Sequence, residues 1–461
     1  MPLVNDIHSG LNPTEVDAIM RPSTADEVAL VVRHANAISL TGGRHAMGGQ
    51  QFGTGTTLID LSGLDRVIGL DRERGIVEVE AGIQWPALIA WLVEQRSGWG
   101  VIQKQTGADR LSLGGALSAN IHGRGLALKP FVQDIESFDL VDCAGTVQRC
   151  SRTENPELFR LAIGGYGLFG VVVRIRLRLG RRQRLERLVE ITSVDTLMAD
   201  FARQQADGCV YGDFQFMTDE TSPLFMREGV FSCYRVVTHH GHNGQDQPAE
   251  KELDEVGWRQ LYRLSHTDRA ELYRTYAKYY RSTHRQQYWS DTHQLSLYLD
   301  GYHAQLDREM GAAVPGSEMI SELYVPRSAL LEFCLAAREE MRRRRTPVIY
   351  GTIRLIERDD ETVLAWAREP WACTIFNLCV RHDAAGITAA SDTFRALIDV
   401  AALFGGSYFP TYHRWATRAQ VERCHPRIVE FLQAKQQFDP QERFQSDWYR
   451  HYRALFADTL G

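Results

Sequence analysis

The first 180 residues alternate between short apolar strands and amphipathic helices. Residues 75–82 and 171–179 carry apolar and charged side chains at alternate positions, which is typical of β-strands with one face against a core. A helix is predicted over residues 28–37, with Ser23 or Thr24 as its N-cap and acidic residues in its first turn. The pattern therefore predicts a mixed domain of strands and helices.

The other elements of this half are equally short. The apolar run 37–40 and the segment 57–61 are predicted strands, and residues 85–95 form a predicted helix. Residues 135–150 predict a hairpin that turns at the Ala-Gly-Thr sequence of residues 144–146.

From about residue 181 the chain carries more aromatic residues and more arginine. Strands of an antiparallel sheet are predicted at residues 189–192, 209–215, 229–236, 318–326, 347–356 and 377–382. Residues 329–344 form a predicted helix that ends in the run of arginines at 342–345. Cations at that end complement the helix dipole, so the run does not indicate a nucleic-acid site.

Composition limits the classes of protein to consider. A chain of 461 residues is long enough for two large domains, and a net charge of −6 argues against a general binder of nucleic acid or anionic membranes. No apolar run approaches the roughly 20 residues that span a bilayer, and the N-terminus lacks a secretory signal pattern. The eight cysteines are scattered without a CxxC, which predicts reduced thiols and a cytoplasmic protein.

A glycine-rich loop follows the apolar run 37–40. Residues 41–50 have the sequence T-G-G-R-H-A-M-G-G-Q, which offers several backbone N–H groups to a ligand at close range. Such a nest suits a pyrophosphate, but a phosphate cradle needs no imidazole, so His45 is the unusual residue. The candidate cofactor-binding residues of this loop are Gly42, Gly43, Arg44, His45, Ala46, Met47 and Gln50.

Two later segments are also rich in glycine and small residues. Residues 105–125 form the longer segment, and residues 164–170, G-G-Y-G-L-F-G, come directly before the strand at 171–179. Any one of these glycine motifs is a weak signal by itself. The further candidate cofactor-binding residues are Gly107, Gly114, Gly115, Ser118, Asn120, His122, Gly123, Gly170 and Val172.

With these three segments in this order, the chain resembles the vanillyl-alcohol oxidase/p-cresol methylhydroxylase flavoprotein superfamily. The resemblance implies that residues 41–50 form the first pyrophosphate loop for FAD, and that residues 105–125 run along the diphosphate and under the isoalloxazine ring. In many members, a histidine at the place of His45 carries FAD covalently at the 8α position, and we expect the same here. No cysteine lies within residues 105–125, so a second covalent bond is not expected.

The resemblance also implies an α+β fold in three stretches. A two-part FAD-binding domain of the p-cresol methylhydroxylase (PCMH) type is expected over residues 1–180. A substrate domain with an antiparallel sheet flanked by helices is expected over residues 181–420. Residues 421–461 are expected to return to the FAD domain, since the sequence F-D-P-Q-E-R-F at 438–444 resembles the closing turn of the family.

The substrate side departs from the family pattern. Alditol and aldonolactone oxidases carry a glutamate two residues before an arginine on a strand that faces the flavin. Here Arg354 matches the arginine, whereas Thr352 stands in place of the glutamate. A neutral histidine or a tyrosine can take the proton that the substrate loses, so His413 is the first candidate base, followed by Tyr350 and Tyr412. Arg354 is expected to hold a polar group of the substrate or the negative charge of the reduced flavin.

The predicted function is an FAD-dependent oxidoreductase, with an oxidase preferred, that takes hydride from a CH–OH or CH–N group of a small polar metabolite. O₂ or another acceptor reoxidises the flavin. One alternative is a flavin-dependent C=C reductase that uses NAD(P)H, because residues 260–330 and 340–460 also resemble sterol Δ24-reductases. A non-catalytic flavin-binding protein is the other. No nucleic-acid or membrane partner is expected. No metal is expected either, since the histidines of residues 239–242 lack convincing ligand spacing.

Overall fold

The computed structural model describes residues 1–108, 110–237, 251–292, 299 and 301–460. The histidine-containing loop at 239–242 lies outside the described residues, so the expectation that it binds no metal stays a prediction.

In the first half, strands and helices alternate as the sequence pattern predicts. In chain order its strands are β1 (Leu3–Val4), β2 (Thr14–Glu15), β3 (Ala18–Met20), β4 (Ile38–Thr41), β5 (Thr57–Asp60), β6 (Val67–Asp71), β7 (Ile76–Glu80), β8 (Trp99–Val101), β9 (Ile135–Val141), β10 (Val147–Ser151) and β11 (Val171–Arg181). Its helices are α1 (Ala25–His34), α2 (Trp85–Glu94), α3 (Leu113–Ala119) and α4 (Pro156–Ala162). Thr24 is the N-cap of α1, where its hydroxyl accepts a hydrogen bond from Glu27 N at 3.2 Å.

Two larger sheets organise this half. A three-stranded parallel sheet has the order β3-β5-β4, and a six-stranded antiparallel sheet has the order β10-β9-β11-β7-β6, with β8 paired to β11. Helix α1 packs between the two sheets, where Val28 and Val32 share one apolar cluster with Ile38, Ile59 and Val171. This burial fixes where β4 ends, and therefore where the glycine-rich loop begins.

The second half contains longer strands. They are β12 (Arg184–Ser193), β13 (Cys209–Phe216), β14 (Glu228–Val236), β15 (Gln287–Trp289), β16 (Gly316–Pro326), β17 (Val348–Ile356), β18 (Trp371–Arg381) and β19 (Ser407–Tyr408). The helices are α5 (Leu197–Ala206), α6 (Glu255–Thr267), α7 (Arg269–Ser282), α8 (Tyr302–Met310), α9 (Leu330–Arg344), α10 (Ala384–Leu403), α11 (Arg418–Cys424), α12 (Ile428–Phe438), α13 (Asp447–Leu455) and α14 (Ala457–Leu460).

These strands form one eight-stranded antiparallel sheet, as the sequence predicts. Its order is β15-β12-β14-β13-β17-β18-β16-β19. Strand β18 begins at Trp371, well before the predicted start at residue 377. Its first six residues are buried on both faces, so they lack the alternation of apolar and polar side chains that marks a strand in a sequence.

The last part of the chain contacts the first half again. Ile38 N donates to Arg443 O at 2.6 Å, and Gln445 N donates to Ile38 O at 2.7 Å, so this segment runs along the outer edge of β4. The N-terminal segment also contacts the glycine-rich loop, since Ile7 N donates to Arg44 O at 3.0 Å. All eight cysteines are free thiols, as the sequence predicts.

Candidate active site

A cavity of about 430 Å³ lies where the two halves of the chain meet. This volume falls in the usual range of small-molecule sites. One wall, here called the loop wall, is drawn mainly from residues 40–51, 105–122 and 166–172. The opposite wall, here called the sheet wall, is drawn from strands β13, β16, β17 and β18 and helices α6, α7 and α8.

Most of the predicted cofactor-binding residues lie together on the loop wall. The cavity is lined by Gly42, Gly43, Arg44, His45, Ala46, Met47, Gln50, Gly107, Gly114, Gly115, Ser118, His122, Gly170 and Val172. The structure does not bring Asn120 to the cavity surface. Its buried side chain instead donates to Asp359 Oδ2 and accepts from Val132 N, both at 2.9 Å, and so joins the two halves behind the wall. Gly123 also lies behind the surface, where a Cβ added to it would lie 2.9 Å from Lys104 O.

The first two glycines of the loop are required by close packing. A Cβ on Gly43 would lie 2.7 Å from Arg110 O, and a Cβ on Gly42 would overlap the Ser112 hydroxyl. Ser112 is the N-cap of α3 and accepts from Gly115 N at 3.3 Å. The glycines therefore let residues 41–50 lie directly against the start of the second glycine-rich segment.

The His45 ring is held at both nitrogens. Nε2 donates to Arg110 O at 3.0 Å, because a carbonyl oxygen can only accept, and Nδ1 lies 2.7 Å from Nε2 of His8. Burial and the neighbouring His45 ring lower the pKa of His8 to about 3, which keeps His8 neutral. His8 was not predicted from the sequence, since it precedes the first glycine motif by more than thirty residues and lies in no recognisable pattern.

A buried carboxylate on β16 is the centre of the polar part of the sheet wall. Glu322 Oε1 lies 2.6 Å from His122 Nε2 and accepts from the Tyr324 hydroxyl at 2.6 Å and from the Cys373 thiol at 3.3 Å. Glu322 Oε2 accepts from the Tyr412 hydroxyl at 3.2 Å. We call these five residues the Glu322 cluster. Its carboxylate and the Tyr412 ring both line the cavity.

The geometry of the Glu322 cluster fixes where its protons lie. Both ring nitrogens of His122 face acceptors, since Nδ1 is 2.9 Å from Gly123 O and Nε2 faces Glu322. Burial raises the pKa of the Glu322 carboxyl, but the His122 charge and hydrogen bonds from His122, Tyr324 and Cys373 outweigh burial and lower it. The pair is therefore an ionised Glu322 whose carboxylate lies against the His122 ring. Burial and the Glu322 charge raise the pKa of Tyr412, which keeps its hydroxyl protonated.

The position of Glu322 explains the departure noted at Thr352. The sheet register aligns Thr352 on β17 with Ile375 on β18 and Glu322 on β16, in one row across three strands. Thr352 has no exposed surface and does not line the cavity. Glu322 was not predicted as a site residue from the sequence, although Glu318 and Glu322 lie four residues apart on a largely apolar strand and so face the same side. The sheet wall thus has its carboxylate two strands away from the expected one.

Two of the predicted substrate-side residues on β17 line the cavity. Tyr350 and Arg354 lie four residues apart and face the same side of the sheet, as alternate positions of a strand must. Arg354 is 6% exposed, and its Nη1 donates to Gly123 O at 3.4 Å. Tyr412 lines the cavity as well, through the Glu322 cluster.

His413, the first candidate base in the sequence, is not at the cavity surface. Its ring lies in a buried aromatic environment, 4.4 Å from the Phe394 ring and 5.7 Å from those of Tyr408 and Trp415, measured between centroids. Burial and the charge of Arg395 lower the pKa of His413 to about 3. The backbone turns between Tyr412 and His413, so adjacent side chains point to different sides. The structure therefore places Tyr412 at the site and His413 in the core.

A second carboxylate of β16 lies in another polar group, here called the Glu318 cluster. Glu318 Oε1 is 3.2 Å from His266 Nε2 and 3.4 Å from His303 Nε2, and Glu318 also accepts from Tyr302 and Asn377. Although burial opposes it, hydrogen bonds and charges from the two histidines lower the pKa of Glu318. Glu318, Tyr302, His303 and Asn377 line the cavity.

Both clusters contain side chains of the types that bind metals. In each of the sets His122, Glu322, Cys373 and His266, His303, Glu318, the ligand atoms lie within 4.8 Å of one another. Hydrogen bonds already occupy these carboxylates, which is a sufficient reason for the proximity. The expectation that the protein binds no metal stays a prediction.

Comparison with known proteins bears on this geometry. Residues 16–151 match the protein family described as FAD binding domain. They form an FAD-binding domain of the vanillyl-alcohol oxidase/p-cresol methylhydroxylase superfamily. The matched range ends well before β11 and includes the first two glycine-rich segments of the loop wall. The superfamily resemblance inferred from the sequence is confirmed.

Several curated proteins are similar to part of the chain. L-galactono-1,4-lactone dehydrogenase, mitochondrial, of Brassica oleracea is 29% identical over 206 residues, which are 42% of this chain and 33% of that protein. Cytokinin dehydrogenase 5 of Oryza sativa subsp. japonica is 28% identical over 187 residues, 37% of this chain and 34% of that protein. L-gulono-1,4-lactone dehydrogenase of Mycobacterium tuberculosis is 29% identical over 159 residues, 34% of this chain and 36% of that protein. The chain thus spans about a third of the length of each of these relatives.

The loop wall of the cavity fits FAD. Backbone approach at Gly42 and Gly43 and small side chains at Gly114, Gly115 and Ser118 leave room for a diphosphate and a planar ring. Within the described part of the chain, no helix has the length and apolar character needed to cross a membrane.

Proposed function

We propose that the protein is an FAD-dependent oxidoreductase that removes hydride from a CH–OH or CH–N group of a small molecule, with an oxidase as the preferred form. The observation that carries the proposal is the cavity, in which an FAD-binding loop wall faces a sheet wall with a carboxylate-bound tyrosine and a buried arginine. FAD, when bound, supplies the hydride acceptor. The enzyme relatives, named for dehydrogenation of aldonolactones and cytokinins, support this reaction class.

The chain's own residues supply the proton chemistry. The substrate oxygen or nitrogen must lose its proton as hydride leaves, and Tyr412 is the cavity group placed to receive it. As the Tyr412 oxygen takes the substrate proton, its own proton moves to Glu322 Oε2, 3.2 Å away. His122, whose Nε2 lies 2.6 Å from Glu322 Oε1, holds the Glu322 carboxylate in place before the transfer. Tyr412 and Glu322 thus replace His413 as the proposed base.

The flavin is attached covalently through His45 in this proposal. With Nε2 held by Arg110 O, the ring nitrogen that can form a bond is Nδ1. The site residues of the loop wall are those that line the cavity, while Asn120 and Gly123 support it from behind. Tyr350 and Arg354 orient the substrate.

We also propose a division of the chain into three stretches with different roles. Residues 1–180 hold FAD in two parts, the three-stranded and the six-stranded sheet, residues 181–420 bind the substrate, and residues 421–461 return to the FAD-binding domain. The hydrogen bonds between Ile38 and the segment around Phe444 support the last statement. A cytoplasmic location stays a prediction, and two plant relatives carry the word mitochondrial in their names.

The first experiment is a denaturing gel of the purified protein, viewed for flavin fluorescence, with His45→Ala and the exposed control His34→Ala beside it. A fluorescent band that only His45→Ala loses is the expected result. A yellow, FAD-loaded protein without such a band contradicts the covalent bond. A colourless protein that cannot be reconstituted with FAD contradicts the whole proposal.

The second experiment measures anaerobic reduction of the bound flavin. The reductants are polyols, L-galactono-1,4-lactone, L-gulono-1,4-lactone and an N⁶-substituted adenine, with NADPH as a separate arm. Bleaching by a CH–OH or CH–N donor is expected, and Tyr412→Phe should slow it by about 10²-fold or more. Bleaching by NADPH alone would replace the proposal by the C=C reductase alternative.

A further inference from the structure

The charged side chains of the sheet wall differ in how they are compensated. The carboxylates of Glu318 and Glu322 lie against histidines. Asp213 on β13 is fully buried and forms an ion pair with Arg124 at 2.8 Å. Arg354 forms no ion pair with any carboxylate in the described ranges of the chain. Among the described residues, Arg354 is therefore a charged group of this wall without an oppositely charged partner.

The surroundings of Arg354 do not replace that partner. Arg354 is 6% exposed, its Nε has no hydrogen-bond acceptor among the described residues, and its Nη1 reaches only Gly123 O at 3.4 Å. A buried guanidinium without a counter-ion is costly, because the charge is removed from water without compensation. A ligand that brings a negative charge to this position would recover that cost.

The same part of the sheet carries further positive charge. Arg187 is 3% exposed and donates to the Tyr234 hydroxyl and to Thr283 Oγ1, each at 2.9 Å, without a carboxylate in the described residues. Arg124, Arg187 and Arg354 are thus three buried arginines, and the buried Asp213 forms an ion pair with one of them, Arg124. Arg124 and Arg187 lie outside the cavity lining, whereas Arg354 lines it, so Arg354 is the arginine of this group that a ligand in the cavity can contact.

A second donor lines the cavity on the same strand as Arg354. The Tyr350 hydroxyl lines the cavity, is buried, and makes no hydrogen bond to the described residues. Its four-residue separation from Arg354 on β17 places both donors on the cavity side of one strand. The guanidinium presents paired N–H groups that match the two oxygens of a carboxylate, and the hydroxyl adds a further donor on the same face of the strand.

Aromatic residues from two helices form the rest of this end of the cavity. Trp258 and Tyr262 of α6 and Tyr273 and Tyr276 of α7 line it, together with Phe216 of β13. Flat, apolar side chains of this kind pack against a planar body and leave its polar group to the few donors present.

We infer that Arg354 and Tyr350 form an anion subsite, and that the substrate is a carboxylate with a planar apolar body. The inference rests on the proposed function and narrows it, since neither polyols nor lactones carry such a charge. Tyr412 and Arg354 line the same cavity, so a substrate held by its carboxylate at Arg354 lies in the cavity that also contains the proposed base.

The test uses the FAD-loaded protein with benzoate and phenylacetate as anionic probes and benzamide and benzyl alcohol as neutral ones. Dissociation constants come from equilibrium dialysis of the labelled probes and from changes in the visible absorbance of the flavin. We expect saturable binding of the carboxylates, with benzamide weaker by about tenfold or more. Arg354→Met should weaken benzoate by about 10- to 100-fold and leave benzamide unchanged, and Arg354→Lys should retain part of the affinity.

Further variants keep the result interpretable. Tyr350→Phe should weaken benzoate by about two- to tenfold, which decides the matter if Arg354→Met fails to fold. Arg381→Met, at the exposed end of β18, is the matched control and should bind benzoate as the wild type does. The inference is overturned if neither carboxylate binds, if benzoate and benzamide bind equally, or if Arg354→Met leaves the benzoate affinity unchanged.

The negative charge could also be that of the reduced flavin, and the experiment separates this source. If Arg354→Met lowers the reduction potential of the flavin but keeps the benzoate affinity, the arginine serves the flavin and the substrate assignment is wrong. Failure of the proposed function has a different signature. A protein that binds no FAD fails before any titration, whereas an FAD-loaded, reducible protein that ignores carboxylates refutes only this inference.

Discussion

The loop wall of the cavity is built from backbone and small side chains, whereas the sheet wall is built from charged and aromatic side chains. On the loop wall, Gly42 and Gly43 bring two segments into direct contact, and the sequence marks them because only glycine fits. On the sheet wall, Glu322, Arg354 and Tyr412 come from three distant segments. The comparison teaches that a cofactor site has a local sequence pattern, while a substrate site depends on strand register.

The largest expected effect comes from the sheet wall. Glu322→Gln should slow flavin reduction by about 10²- to 10⁴-fold, because Tyr412 then loses the carboxylate that takes its proton. FAD binding should be unchanged, since the loop wall is intact. Stopped-flow reduction and the flavin content of the purified protein measure the two effects. Glu357→Gln, which removes a carboxylate paired with Arg327 away from the cavity, is the control.

Glu322→Gln should also change how the free energy of unfolding depends on pH. The folded-state pKa of Glu322 is lowered, so its ion pair stabilises the protein above the unfolded-state pKa near 4.3, and this stabilisation disappears as the pH falls through the lowered value. Breaking such a buried pair costs about 3–5 kcal/mol near neutral pH. Urea unfolding over a pH series should show the difference between wild type and Glu322→Gln shrink in acid. A difference that grows in acid would contradict the ion pair.

The loop wall should respond in the opposite way. Gly43→Ala places a Cβ 2.7 Å from Arg110 O, a backbone atom that cannot rotate away. Overpacking of this kind costs about 1–3 kcal/mol and separates the loop from the second glycine-rich segment, so in a His45→Ala background, where FAD is held without a covalent bond, FAD affinity should fall by about tenfold or more. Gly69→Ala, where a Cβ meets nothing within 4 Å, is the matched control. Equal FAD affinities in the two variants would show that the close packing is not needed.

A smaller effect tests whether His413 is buried in the core, as it must be if Tyr412 rather than His413 is the base. Burial lowers the folded-state pKa of His413 to about 3, so below about pH 6.5 the unfolded chain binds a proton that the folded chain does not. As the pH falls from about 6.5 to about 3, protonation of His413 in the unfolded chain therefore lowers the free energy of unfolding by about 1.4 kcal/mol per pH unit. His413→Asn should flatten this slope in urea unfolding, and the exposed His34→Asn should not. An unchanged slope would mean that His413 reaches solvent.

The smallest effect is expected at Thr352. Its hydroxyl is buried, has no hydrogen-bond partner among the described residues, and does not line the cavity. Thr352→Val removes an unsatisfied hydroxyl at constant size, so stability should stay within about 1 kcal/mol and flavin reduction should be unchanged. A large loss of reduction rate would show that position 352 on β17 takes part in the reaction, which would weaken the case for Glu322.

Particular residues show why the sequence predicted one wall better than the other. The strand before the glycine-rich loop, the N-cap Thr24 and the hairpin of β9 and β10 follow from patterns within about twenty residues of sequence. His413 and Glu322 do not, because adjacent side chains in a turn face different sides and strands far apart in the chain share one row. Propensity and alternation carry no information on which strands become neighbours.

The sequence by itself determined the FAD-binding domain, the mixed fold with its antiparallel sheet, and the unusual position of His45. These depend on local constraints, namely where only glycine fits and where apolar residues alternate. Only the tertiary structure decided that His8 contacts His45, that Glu322 rather than Thr352 supplies the carboxylate, and that Arg354 is left without an ion-pair partner among the described residues. Burial and register settle such contacts, because they bring together groups that lie far apart in the chain, 37 residues for His8 and His45 and 90 residues for Glu322 and Tyr412.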